Sequence, residues 1–140
     1  MGEYKKPLPV PSVESKPYWD GLRTHRLLMQ RCNGCRQYWF PPSSRCPDCL
    51  SADFSWTAMS GRGKVFSFVV YHRVYHPGFA NEVPYTVALV ELDEGPRMIS
   101  NIVGIAPDQV ACEMPVEVVY EDIEGIATLP KFTPAPTARM

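Results

Sequence analysis

Cys32, Cys35, Cys46 and Cys49 form two Cys-x-x-Cys pairs with ten residues between them, within "RCNGCRQYWFPPSSRCPDCL". Thiols packed this closely support three kinds of chemistry. Disulfides suit small exported domains, yet "MGEYKKPLPVPSVESK" lacks the apolar stretch of a secretory leader. A redox pair opens a helix in a βαβ pattern and needs only one Cys-x-x-Cys. Two pairs, each closing a tight turn, can place four thiolates at the corners of a tetrahedron, which suits Zn²⁺. Pro47 in "CPDC" and Gly34 in "CNGC" supply the turn chemistry. Sulfur in all four positions leaves none for water or substrate, so the predicted zinc is structural and lends folding energy to a segment with little core. Four thiolates around a divalent ion carry a formal −2, and Arg31, Arg36 and Arg45 stand beside ligand cysteines to offset it. The fifth cysteine, Cys112 in "DQVACEMPVEVVY", has Glu113 beside it, which opposes a lowered thiol pKa. A buried, inert position is predicted for it.

The elements that must hold these residues follow from local pattern. Residues 1–14 are rich in proline and polar groups and read as an extended arm. Ser15 is placed to cap a short helix with Pro17 in its first turn and Tyr18, Trp19 and Leu22 on one face. "RLLMQRC" and "QYWFPP" read as strands flanking the first knuckle, with "DFSWTAM" a third, so helix and ribbon occupy 15–59. Over 60–130 the stretches "GKVFSFVVYHRV", "YTVALVEL", "RMISNIVG", "VEVVYEDI" and "IATLPKF" alternate with turns, predicting a small antiparallel β-barrel. Pattern alone leaves an OB fold and an SH3-like barrel both open, with the OB form preferred. Residues 131–140 are expected to be a tail.

Composition narrows the partners. The chain has 140 residues, 45% of them hydrophobic, and a net charge of −1, enough for one ordinary domain or two small ones packed together. No apolar run reaches the ~18–20 residues that span a bilayer. Lys6 stands where a myristoylation signal wants Ser or Thr. The expectation is a soluble, cytoplasmic protein. Residues 60–130 hold four cations (Arg62, Lys64, Arg73, Arg97) against ten anions, a net of −6. Such a barrel repels a phosphate backbone, which works against the alternative function, a stand-alone OB-fold and zinc-ribbon module for nucleic acid. No Gly-rich phosphate loop, nucleophile elbow or His-rich metal triad is present, so the chain reads as non-catalytic.

Several segments together carry a resemblance: "YWDGLRTHRLLMQRCNGC", "FPPSSRCPDC", "SGRGKVFSFVVYHRVYHPGF", "VPYTVALVELDEG", "MPVEVVYED" and "LPKFTP". In this order they resemble a bacterial and archaeal domain-of-unknown-function family with an N-terminal helix, a rubredoxin-like zinc ribbon and a C-terminal OB fold. The likeness covers about residues 17–134. It implies an accessory subunit of thiolase-like enzymes, including steroid-side-chain aldolases, or of hydratases acting on acyl-CoA esters, and hence a hetero-oligomer. Some members are fused to a hydratase-like domain that is not found in these residues.

Given such a role, the loop "YHRVYHPGFANEVPY" supplies Tyr75, His76 and Phe79 as candidate partner contacts, its prolines bracing apolar anchors; the same rings would equally serve to cover the barrel's open end. His72 and His76 have no carboxylate or cysteine motif nearby and read as packing or interface residues. Trp19, Trp39 and Trp56 read first as core, with Trp39 and Phe40 the better interface candidates. If acyl-CoA touches this chain, its phosphates must reach the basic half, at Arg23, Arg26, Arg31 or Arg36.

Overall fold

The period-two alternation of "YTVALVEL" puts Thr86, Ala88, Val90 and Leu92 on one face of a strand and Val87, Leu89 and Glu91 on the other, and a computed structural model buries the first set. The structure describes residues 11–73, 77–79, 82–123 and 125–135. Their elements run α1 (Lys16–Arg23), β1 (Leu28–Cys32), β2 (Tyr38–Trp39), β3 (Phe54–Ala58), β4 (Arg62–Tyr71), β5 (Tyr85–Leu92), β6 (Arg97–Ile102), β7 (Pro115–Ile123) and β8 (Ala127–Pro134). The protein is mainly β: one helix, a three-stranded ribbon sheet ordered β2-β1-β3, and a closed barrel ordered β4-β5-β6-β8-β7.

Barrel order settles the choice the sequence left open. The fifth barrel strand, β8, inserts between the third and fourth, and β7 returns to pair with β4, which is the OB arrangement. The predicted antiparallel OB barrel is present, with one parallel contact at its closure. Five strands cannot alternate direction around a closed ring, so one neighbouring pair must be parallel, and β6 meets β8 that way at Ile102 and Phe132. The predicted tail boundary also moves. β8 runs on to Pro134, and Phe132 within it is fully buried. Closure is tight where β4 begins: a Cβ on Gly63 would run into the Glu91 carbonyl oxygen. A bulge between Val65 and Ser67 then bends β4 around the barrel.

Helix and ribbon share the barrel's core. Tyr18, Leu22, Leu27, Met29 and Met59 are buried in one cluster with Val65, Val90, Met98 and Phe132. Pro17 sits in the first turn of α1 as expected, but Ser15 caps nothing with its side chain. Its hydroxyl accepts instead from the Ser12 backbone N–H at 2.8 Å.

A polar tie joins the two halves far apart in sequence. His25 Nε2 lies 2.9 and 3.0 Å from the two carboxylate oxygens of Asp122, Thr128 Oγ1 donates to the same carboxylate at 2.7 Å, and the imidazole stacks on Tyr120. The Thr128 hydroxyl first, then His25, hold the Asp122 carboxyl below its ordinary 3.8. A depressed carboxylate contributes stability that is full above its unfolded value and is lost as pH falls through its folded value. Asp122→Asn is therefore expected to lower the urea midpoint at pH 7, and the gap to wild type should close below pH ~4. A gap independent of pH down to acid unfolding would remove this tie from the stability of the fold.

Candidate metal centre and contact surfaces

β1 ends in the first knuckle and β3 starts beyond the second, so the ribbon sheet draws both Cys-x-x-Cys pairs together. The four Sγ atoms of Cys32, Cys35, Cys46 and Cys49 lie within 4.8 Å of one another, with Cys32–Cys49 at 3.4 Å and Cys35–Cys46 at 3.6 Å. A zinc tetrahedron with Zn–S bonds of ~2.3 Å has edges of about 3.8 Å, so the set fits. The backbone N–H of Cys35 donates to Cys32 Sγ and that of Asp48 to Cys46 Sγ, each at 3.4 Å. Cys32 and Cys46 face a small core with Trp39 and Phe54, while Cys35 and Cys49 face solvent.

Without a metal these thiols cannot all ionise together. The Cys35 N–H pulls the Cys32 thiol down to about 6. At Cys35 the Gln37 N–H also favours the thiolate, but desolvation and the thiols of Cys46, Cys32 and Cys49 outweigh it and push the group up to about 12. Cys49 is raised as well; the Ser51 N–H pulls it down, and Cys32 and desolvation overcome that pull. Zinc must therefore displace the protons of Cys35 and Cys49, so its affinity weakens as the pH is lowered.

The predicted contact residues divide. Trp39 is only 6% exposed and walls the ribbon core. It sits opposite Gln30, whose amide exchanges hydrogen bonds with the Ser43 backbone at 2.6 and 2.9 Å. Phe40 packs on Tyr18, ring centroids 5.3 Å apart. Both therefore offer less surface than their place beside the ribbon hairpin suggested. Tyr75, His76 and the side chain of Phe79 lie outside the described residues; beside them Tyr71 stacks on Tyr85. Cys112, expected in the core, is exposed in the turn before Glu113, because Val110 and Met114 take the inward positions on either side.

The four arginines divide between two settings. Arg31 and Arg36 line a recess of ≈ 170 Å³ with Cys32 and Asn33, to which Arg23 and Arg26 do not contribute. Arg31 donates to the Arg36 carbonyl and lies over Tyr38, and Arg23 donates to the Ile126 carbonyl. Sequence reasoning missed the outer face of β4–β6. There Val69 (54% exposed) and Ile99 (69%) join Val87 and Leu89 around an apolar recess of ≈ 180 Å³. The alternation could not reveal it, since Ala88 and Val90 inside are as apolar as Val87 and Leu89 outside.

Residues 19–55 match the family model described as the ChsH2 rubredoxin-like zinc ribbon domain, and residues 56–121 match the ChsH2 C-terminal OB-fold domain. The chain belongs to the ChsH2 zinc-ribbon and OB-fold family. The metal centre of this ChsH2-type chain is thus a structural zinc site. A "DUF35 domain-containing scaffold protein" of Methanocaldococcus jannaschii is 36% identical over 99 residues, 70% of each chain. The benzoylsuccinyl-CoA thiolase subunit BbsA of Thauera aromatica is 31% identical, covering 79% of this chain and 68% of that one. The "probable enoyl-CoA hydratase alpha subunit" of Thermomonospora curvata is 40% identical over 93% of this chain, but the chain spans only 40% of that relative. Among solved structures, a chain titled "Ltp2-ChsH2(DUF35) aldolase" superposes with a TM-score of 0.81 at 40% identity, covering 90% of this chain and 98% of its own. Relatives of this ChsH2-type chain thus carry two kinds of name, scaffold and enzyme subunit. No helix among the described residues is long and apolar enough to cross a membrane.

Proposed function

We propose that the chain is a non-catalytic accessory subunit that docks on a thiolase-like or hydratase enzyme acting on acyl-CoA, in lipid or steroid side-chain degradation, and helps shape its acyl-CoA site. The observation that carries this reading is the likeness, over 90% of this chain, to a chain titled "Ltp2-ChsH2(DUF35) aldolase". Among the described residues, four of the five cysteines form the metal centre and His25 holds Asp122, which supports a structural use of these groups. Of the arginines assigned to CoA phosphates, Arg23 and Arg31 each spend one N–H on a carbonyl oxygen, which positions the guanidinium and leaves its other donors for a phosphate.

The nucleic-acid reading fares worse on the barrel face that OB folds use for oligonucleotides. The β5–β6 surface presents Val87, Leu89 and Ile99, and its cation Arg97 is paired with Glu91 at 3.2 Å. Stacking platforms with free cations would be needed there. The test is affinity purification of the tagged chain from its own host without chelators, followed by reconstitution with the recovered subunit. A thiolase-like or hydratase subunit in fixed stoichiometry, whose acyl-CoA turnover changes on adding this chain, is expected. Recovery of RNA-bound proteins, or of the chain alone, would overturn the proposal.

A further inference from the structure

Among the described residues, four that are not glycine hold positive φ: His25, Arg36, Leu50 and Glu113. This backbone region is open to glycine and strained for side chains with a Cβ. His25 and Glu113 have an evident reason to stay, since Asp122 holds one and Lys64 the other at 2.9 Å. Arg36 and Leu50 have no such partner among the described residues. They are also equivalent: each follows the second cysteine of a knuckle, with φ of 67° and 66°. The backbone asks for glycine twice, and the sequence answers with a cation and a large apolar group. A singly exposed leucine is ordinary. A 67% exposed leucine in a glycine conformation is not. Nor is it loose, for Leu50 N–H donates to the Cys46 carbonyl at 2.8 Å and Arg45 donates to the Leu50 carbonyl at 3.1 Å.

We infer that Leu50 is the anchor by which the zinc knuckles dock on the partner enzyme subunit, entering an apolar pocket whose lip carries a carboxylate for Arg36. This rests on the accessory-subunit reading and names its surface. A rigid, metal-braced apolar knob loses little entropy on burial, which is what a binding hot spot needs. The acidic lip follows from charge: residues 1–59 hold eight cations against five anions, and Arg31, Arg36 and Arg45 all flank the knuckles. A second copy of this chain does not supply the same pocket. Its apolar recess at Val69, Leu89 and Ile99 has Glu91 as the nearest carboxylate along β5, and Lys64 and Arg97 already occupy that group.

The test uses the full chain and the thiolase-like or hydratase subunit it purifies with, itself purified to homogeneity, titrated by calorimetry. Leu50→Gly suits the local backbone, so zinc content and thermal midpoint should hold while affinity falls about tenfold or more. Arg36→Gly should weaken binding less and flatten its salt dependence. Affinity of Leu50→Gly within twofold of wild type overturns the inference and leaves the accessory role intact. So does a loss of self-association in sedimentation with enzyme affinity unchanged, which reassigns the knob to a second copy. Wild-type chain that binds no enzyme subunit overturns both.

Discussion

Cys46→Ala is expected to abolish stoichiometric zinc and unfold the ribbon. Cys46 is fully buried, and its sulfur accepts the Asp48 N–H that shapes the second knuckle. Structural zinc sites contribute on the order of 10–16 kcal/mol of binding energy, more than the ~5–15 kcal/mol that separates a whole domain from its unfolded state. The small cluster of Cys32, Trp39, Cys46 and Phe54 cannot replace that contribution. The damage should spread, because Leu27 and Met29 from the ribbon side belong to the barrel's core. Metal analysis, tryptophan fluorescence and thermal melts would follow the loss, and a strong chelator should give the wild type the same signature. A variant that keeps zinc and melts near the wild-type temperature would mean that another ligand set holds the metal.

Phe132→Ala is the second large effect expected, at about 3–5 kcal/mol. Phe132 is fully buried, takes part in the β6–β8 closure at Ile102, and stands opposite Val118 on β7. Removing its ring opens a cavity where three strands meet, which should lower Tm by on the order of 10 °C. Its neighbour Lys131 alternates to the other face of β8 and pairs there with Glu121, so Lys131→Ala should cost clearly less than Phe132→Ala. Equal effects at 131 and 132 would mean that β8 does not close the barrel as described.

Legibility in the sequence tracked the range of the interactions involved. The cysteine spacing announced the metal centre because a tetrahedral ligand set is a local requirement, met within 18 residues from Cys32 to Cys49. The strands showed themselves through alternation, most plainly at Tyr85–Leu92. β8 showed itself in "IATLPKF", but its run on to Pro134 was hidden because Pro130 and Pro134 mask a strand signal, although Pro130 still accepts the Ser100 hydroxyl through its carbonyl. Cys112 misled because the tendency of cysteine to be buried yields to a turn that turns it outward. The His25–Asp122 tie spans 97 residues and left no mark on local pattern. Leu50 was visible only as a glycine that is missing, and reading it needed the backbone angle.

The parallel contact between β6 and β8 has a consequence for how the chain is made. The ribbon completes all its strand pairs by Ala58, so it can fold around its metal while the rest is still inside the ribosome. The barrel has no such freedom. β4 through β7 can pair in part as they emerge, but the gap between Ile102 and Val118 stays open until Phe132 arrives to bridge it. Until then the apolar lining of β5 and β6 lies uncovered on one side, so a released chain truncated between residues 123 and 132 should be the most aggregation-prone length of this protein.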